Sequence, residues 1–136
     1  ERPDLFAAAI VNVGLTNALR METTANGVPN IPEFGSHTTE DGFRALLAMD
    51  AYHKVAPGVP YPAVLFTHGI KDPRVDPWFS AKMAAQLQRC SSSDSPVLLR
   101  IDDDAGHGVG STKAQRNGLL ADTYAFLFDR LGAGAG

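Results

Sequence analysis

Apolar and polar positions fall into blocks that read as alternating strands and helices. Leu5 to Gly14 is an apolar run entered through Pro3-Asp4, the pattern of a turn feeding a buried strand, expected over residues 6–13. Residues 15–38 break the pattern with Gly27, Pro29, Pro32 and Gly35 among polar positions, which predicts a long surface or site-lining loop. From Thr38 to Met49, Phe43, Leu46 and Leu47 share a helical face, and Thr38 followed by Asp41 reads as a helix cap. Residues 50–61 form a connector broken by Pro57, Gly58 and Pro60. Pro62 to Gly69 is nearly continuously apolar, as expected of a strand covered on both faces.

A helix is predicted from Pro77, with Phe79, Met83 and Leu87 forming a core-facing stripe. Ser91 to Ser95 is a polar loop, and Pro96 to Asp102 a third strand. Leu120, Tyr124, Leu127 and Leu131 mark a final helix, and the Gly-Ala tail at 132–136 is expected to fray. The order of strand, loop and helix, strand, helix, strand, helix argues for an α/β fold: three parallel strands with helices packed on them. No internal repeat is visible, so residues 1–131 are read as one unit.

Composition narrows the class. The 136 residues are 44% hydrophobic and 20% charged, close to a globular average, which excludes general disorder. A net charge of −3 offers no broad basic field for nucleic acid or anionic lipid, and no apolar run has the length of a membrane span. Neither nucleic acid nor membrane is expected as a partner. Cys90 is the single cysteine, so an internal disulfide is impossible. The residues do not distinguish a cytoplasmic from a periplasmic location.

In open parallel sheets, ligands bind beyond the carboxyl ends of the strands. Asp72 follows the second strand, and His107, flanked by Gly106 and Gly108, follows the third. An acid and then a histidine at successive strand ends form the second half of the Ser…Asp…His order of α/β-hydrolase triads. There the histidine takes and returns the serine proton, and the carboxylate fixes the imidazole tautomer. Taken alone, the same two residues also fit a turn aspartate and a solvated loop histidine. His68, at the end of a buried strand, is expected to be packed or hydrogen-bonded, and His37 and His53 to be solvated. Asp102, Asp103 and Asp104 are expected to be solvated or ion-paired rather than to hold a metal with His107. The glycines around His107 lack the dinucleotide fingerprint and the P-loop lysine. No metal or cofactor is expected.

The segments ERPDLFAAAI at the start, Glu33-Phe34-Gly35, Asp72-Pro73-Arg74-Val75-Asp76-Pro77, and Ala105-Gly106-His107-Gly108-Val109-Gly110 resemble the C-terminal part of the prolyl oligopeptidase family of serine peptidases. The resemblance runs from Arg2 to about Leu131 in the family's order and spacing. It implies an α/β-hydrolase catalytic domain acting on oligopeptides through an acyl-enzyme. It also implies that Asp72 and His107 are triad members and that Arg74 binds a substrate carbonyl, a task suited to a guanidinium fork. Val75 and Phe34 fall where family members line the pocket for the residue before the cut.

Two departures, the missing nucleophile elbow and Asn30, qualify the resemblance. The family's nucleophile elbow, G-x-S-x-G-G, occurs nowhere in these 136 residues, and no serine here has that context. The chain also opens without a Met and without a basic or apolar leader, directly in Glu1-Arg2-Pro3-Asp4. It therefore reads as part of a larger domain, inactive alone. Asn30 falls where the resemblance puts a tryptophan that stacks on the substrate proline, which removes an aromatic contact from that subsite. An upstream part of the domain, or a second copy, is expected to cover the strand at residues 6–13. A non-catalytic hydrolase-like binding module, an esterase and an acyl-peptide hydrolase are the alternative readings.

Overall fold

The central strand of the sheet is the one the rest of the chain packs around. The computed structural model describes residues 2–108 and 111–132, and β2, Ala63–Gly69, is buried at every position. It pairs in parallel with β1, Ala8–Asn12, on one side and with β3, Val97–Asp102, on the other, giving the order β1-β2-β3. Side chains alternate across a strand. Val64 and Phe66 face a cluster with Ala84 and Leu87, whereas Ala63 and Leu65 face Phe126. Helices on both faces leave no solvated side to β2, hence its nearly unbroken apolar sequence.

The first face is covered by α5, Trp78–Cys90, and the second by α6, Lys113–Leu131. Phe79 and Leu87 are buried as the spacing predicts, and Met83 packs at the margin of the same cluster. Thr112 caps α6 by accepting from the Gln115 N–H, while the Gln115 side chain accepts from the Thr112 N–H. Gly132 ends α6 in the left-handed region, where a residue without Cβ is favoured. The rest of the 132–136 tail, expected to fray, lies outside the described residues. No helix among the described residues is long and apolar enough to cross a membrane.

The stretch expected to be irregular at 15–38 contains two short helices, α1 (Ala18–Met21) and α2 (Ile31–Phe34). With α3, Glu40–Met49, they bury Ala18, Met21 and Leu46 in a separate small core against which Leu19 and Phe34 pack. The α1 and α2 helices are each a single turn, too short for an apolar period to register in sequence. The α3 cap is Thr39, not Thr38: its side chain accepts from the Gly42 N–H. Of the expected face, only Leu46 is buried, and Phe43 and Leu47 lie exposed. The connector at 50–61 also holds a one-turn helix, α4 (Ala51–Lys54), capped by the buried Asp50.

The α6 pattern divides differently from the sequence expectation. Phe126 and Leu127 meet the sheet, whereas Leu120, Tyr124, Phe128 and Leu131 are each more than half exposed. Tyr124 and Phe128 stack on one another along this outer stripe.

Candidate active site

The loops after β2 and β3 are tied together before any side chain is considered. Ile70 N–H donates to the Asp102 carbonyl and Lys71 N–H to the Ala105 carbonyl, at 2.9 and 3.1 Å. Gly69 makes this approach possible, since a Cβ there would sit 2.3 Å from the Ala105 carbonyl oxygen. Asp72 and His107, 35 residues apart, are thereby brought face to face.

His107 Nδ1 lies 2.8 Å from Asp72 Oδ2 and 3.1 Å from Oδ1. Oδ1 also accepts the backbone N–H groups of Arg74 and Val75 at 2.8 and 3.0 Å. Asp72 is buried. Burial alone would push its carboxyl up, but the Val75 and Arg74 N–H groups, with His107, outweigh it and hold the carboxyl below the usual carboxylate range. An ionised carboxylate only accepts, so the network assigns the proton to His107 Nδ1. In the neutral ring Nε2 then carries a lone pair, and it has no hydrogen-bond partner among the described residues. The imidazole is 28% exposed. A fixed tautomer with an open Nε2 is what a general base requires.

Beside His107 lies a cavity of about 250 Å³, lined also by Asn12, Val13, Arg100, Asp102 and Arg116. Val13 holds a left-handed backbone, φ +52°, with its N–H on the Thr67 carbonyl. That conformation is unfavourable for a β-branched residue. Nothing in the sequence marks it.

The other residues singled out from sequence distribute unevenly. Arg74 is exposed and makes no ion pair among the described residues, while Val75 is half-buried in the Asp72 turn. Phe34 packs on the small core with Ala18, Met21 and Leu46, and the Asn30 amide donates to the Asn26 carbonyl. Neither Arg74, Val75, Phe34 nor Asn30 lines the cavity beside His107.

His68 is buried as expected, with Nδ1 2.8 Å from Ser80 Oγ and Nε2 2.8 Å from the Val75 carbonyl oxygen. The two histidines expected to be solvated are substantially exposed, and each also has a carboxylate partner. His37 Nδ1 lies 2.7 Å from Glu22, and His53 Nδ1 3.0 Å from Asp50. Glu22 lies 15 residues before His37, so no local motif announces that contact, whereas Asp50 is the cap of α4, three residues before His53. Asp104 pairs with Lys71, and Asp102 lies 3.7 Å from Arg100. Among the described residues, no group of three or more His, Cys, Asp or Glu could hold a metal ion.

The family model described as the prolyl oligopeptidase family matches residues 1–134. The chain belongs to the prolyl oligopeptidase family. Prolyl endopeptidase of Dictyostelium discoideum is 31% identical over 130 residues, covering 93% of this chain and 17% of that protein. The prolyl endopeptidase of Elizabethkingia meningoseptica is 33% identical over 134 residues, covering 96% and 19%. Among solved structures, a prolyl endopeptidase superposes with a TM-score of 0.93 at 36% identity, covering 97% of this chain and 20% of the other. Oligopeptidase B from Leishmania major superposes with a TM-score of 0.89 at 25% identity, over 96% and 18%. The three parallel strands and their helices thus match the α/β-hydrolase catalytic domain of the prolyl oligopeptidase family, and the chain spans about a fifth of its relatives' length.

Proposed function

We propose that this chain is the C-terminal part of a prolyl-oligopeptidase-type catalytic domain and carries two members of its triad. His107 is the general base and acid, and Asp72 the carboxylate that fixes its tautomer. The nucleophilic serine comes from a segment other than these 136 residues, which contain no G-x-S-x-G elbow. The observation carrying this reading is the 2.8 Å contact of Asp72 Oδ2 with His107 Nδ1, with Nε2 unpartnered among the described residues.

In the complete site, Nε2 takes the serine Oγ proton as the oxygen attacks a peptide carbonyl. The imidazolium, stabilised by Asp72, then returns that proton to the leaving amine, and water repeats the cycle on the acyl-enzyme. Exposed Arg74, on the same turn as Asp72, anchors a substrate carbonyl, and Val75, Phe34 and Asn30 contribute to the subsite before the cut. Substrates are oligopeptides, and no metal or cofactor takes part.

The outer edge of β1 supports the incompleteness of the unit. Val13 N–H points to β2, so by alternation the N–H groups of Ala8, Ile10 and Asn12 point away from it. Phe6, beside this edge, is 59% exposed. An upstream strand, or a second copy, pairs there.

The test is turnover of a blocked oligopeptide p-nitroanilide by the chain alone and with a serine-bearing upstream segment supplied. Activity is expected only in the combination, and His107→Ala is expected to remove it. Robust turnover by the 136-residue chain alone that survives His107→Ala overturns the proposal.

A further inference from the structure

Val75 is held at both ends of its peptide units, and the two holders are different residues. Its N–H donates to Asp72 Oδ1 at 3.0 Å, and its carbonyl oxygen lies 2.8 Å from His68 Nε2. His68 stands on β2, the central strand, with its side chain fully buried. It shares strand parity with Val64 and Phe66, so it faces α5, where Ser80 Oγ meets its Nδ1 at 2.8 Å. Both ring nitrogens are therefore occupied.

A carbonyl oxygen only accepts, so His68 Nε2 carries a proton whether the ring is neutral or charged. The same Nε2 is 3.5 Å from Asp72 Oδ2, too far for a good hydrogen bond. His68 consequently reaches Asp72 through Val75. We infer that His68 is a positioning residue, which fixes the Asp72–Val75 turn to the sheet and so holds the carboxylate in register with His107. This deepens the proposal above and rests on its pairing of Asp72 with His107.

Substitution separates this role from mere filling of space. Glutamine can carry a donor to the place of Nε2, whereas asparagine offers one only near Nδ1. Long-range 1H–15N spectra of the 136-residue chain, recorded for the unmodified protein, His68→Gln and His68→Asn, read both imidazoles. The unmodified chain is expected to carry its His68 proton on Nε2 and its His107 proton on Nδ1. The His107 Nδ1–H signal is expected to persist in His68→Gln. In His68→Asn it should exchange with solvent roughly tenfold faster, the effect of about one lost hydrogen bond.

If that signal is equally protected in all three proteins, the role of His68 is overturned while the Asp72–His107 pair stands. If the unmodified chain lacks the signal, the pair itself fails and the inference falls with it. If His68→Asn does not fold, the unmodified chain decides. A His68 proton on Nε2 protected from exchange supports the clamp, and a proton on Nδ1 alone overturns it.

Discussion

Replacing Asp72 by asparagine isolates the electronic role of this carboxylate, because the shape of the side chain is retained. Oδ1 must still accept the Arg74 and Val75 N–H groups, at 2.8 and 3.0 Å. That requirement fixes the amide so that its NH2 takes the Oδ2 position, 2.8 Å from His107 Nδ1. Two donors cannot share this contact, so His107 is driven to place its proton on Nε2 and accept at Nδ1. The tautomer change is read directly by long-range 1H–15N correlation on the imidazole.

With Nε2 protonated, the ring cannot take a proton from serine. A loss of about 10⁴-fold in kcat is expected for the reconstituted peptidase, or about 5.5 kcal/mol in the barrier. The stability cost is smaller. Each backbone donor exchanges a charged acceptor for a neutral one, about 1 kcal/mol apiece, so roughly 2 kcal/mol in all. Urea titration measures that cost, and an unchanged slope would show that the fold is intact. Retention of the Nδ1–H tautomer in Asp72→Asn, or activity within tenfold of the parent, would refute the reasoning.

Asp50 is fully buried and accepts from the Asn17 amide at 2.6 Å, the Leu19 N–H at 2.9 Å and the His53 N–H at 3.0 Å. Asp50→Ala strands these donors and is expected to cost about 3–5 kcal/mol by urea midpoint; a loss below about 1 kcal/mol would contradict the clasp. At Asp50, burial pushes the carboxyl up, but the Leu19 and His53 N–H groups, with Asn17 and the His53 ring, hold it below the ordinary range, as happens at Asp72. A depressed folded-state value contributes stability above the unfolded value of about 3.9 and loses it as pH falls through the folded value. Unfolding free energy should therefore drop in acid below about pH 4, and the gap between Asp50→Ala and the parent should narrow over the same window. Gly69→Ala places a Cβ 2.3 Å from the Ala105 carbonyl oxygen and 2.5 Å from that of Gly106. It is expected to part the two loops, abolishing the His107 Nδ1–H signal while far-UV circular dichroism is kept; an unchanged signal would count against the loop coupling. Ala8→Pro removes an outward N–H from β1 and should weaken self-association several-fold in sedimentation, whereas unchanged association would exclude this edge as the contact.

The legible part of the fold was the part with a period. Val64 to Phe66 and the Phe79–Leu87 stripe are governed by continuous burial or a 3.6-residue repeat, and both ended in the core. The helices at Ala18–Met21, Ile31–Phe34 and Ala51–Lys54 were illegible because one turn carries no repeat. Their anchors are long-range: Asp50 reaches back to Asn17 and Leu19, and Lys82 Nζ, over the Tyr52 ring, donates to Asn17 Oδ1 at 2.8 Å. The outer stripe of α6 presents the opposite case. Leu120, Tyr124 and Leu131 have the spacing of a buried face, yet lie exposed, because Phe126 and Leu127 already fill the contact with the sheet.

At the site, strand-end placement offered Asp72 and His107 as one of two readings, the family resemblance favoured the pair, and the loops after β2 and β3 bring the two side chains within 2.8 Å. The same rule has nothing to say about what supports them. His68, next to last in β2, reads in sequence as a packed histidine, and its relation to Val75 depends on the path of a loop that neither residue encodes alone. The glycines carry part of that path. Gly69 admits the Ala105 carbonyl, and the interloop hydrogen bonds at Ile70 and Lys71 close around it. A carboxylate held by two backbone N–H groups, a turn fastened to the central strand and a second loop fastened to the first together restrict His107 to one tautomer. On this argument the precision of the Asp72–His107 pair resides in the backbone around it, and changes at Gly69 or His68 should disturb His107 without touching it.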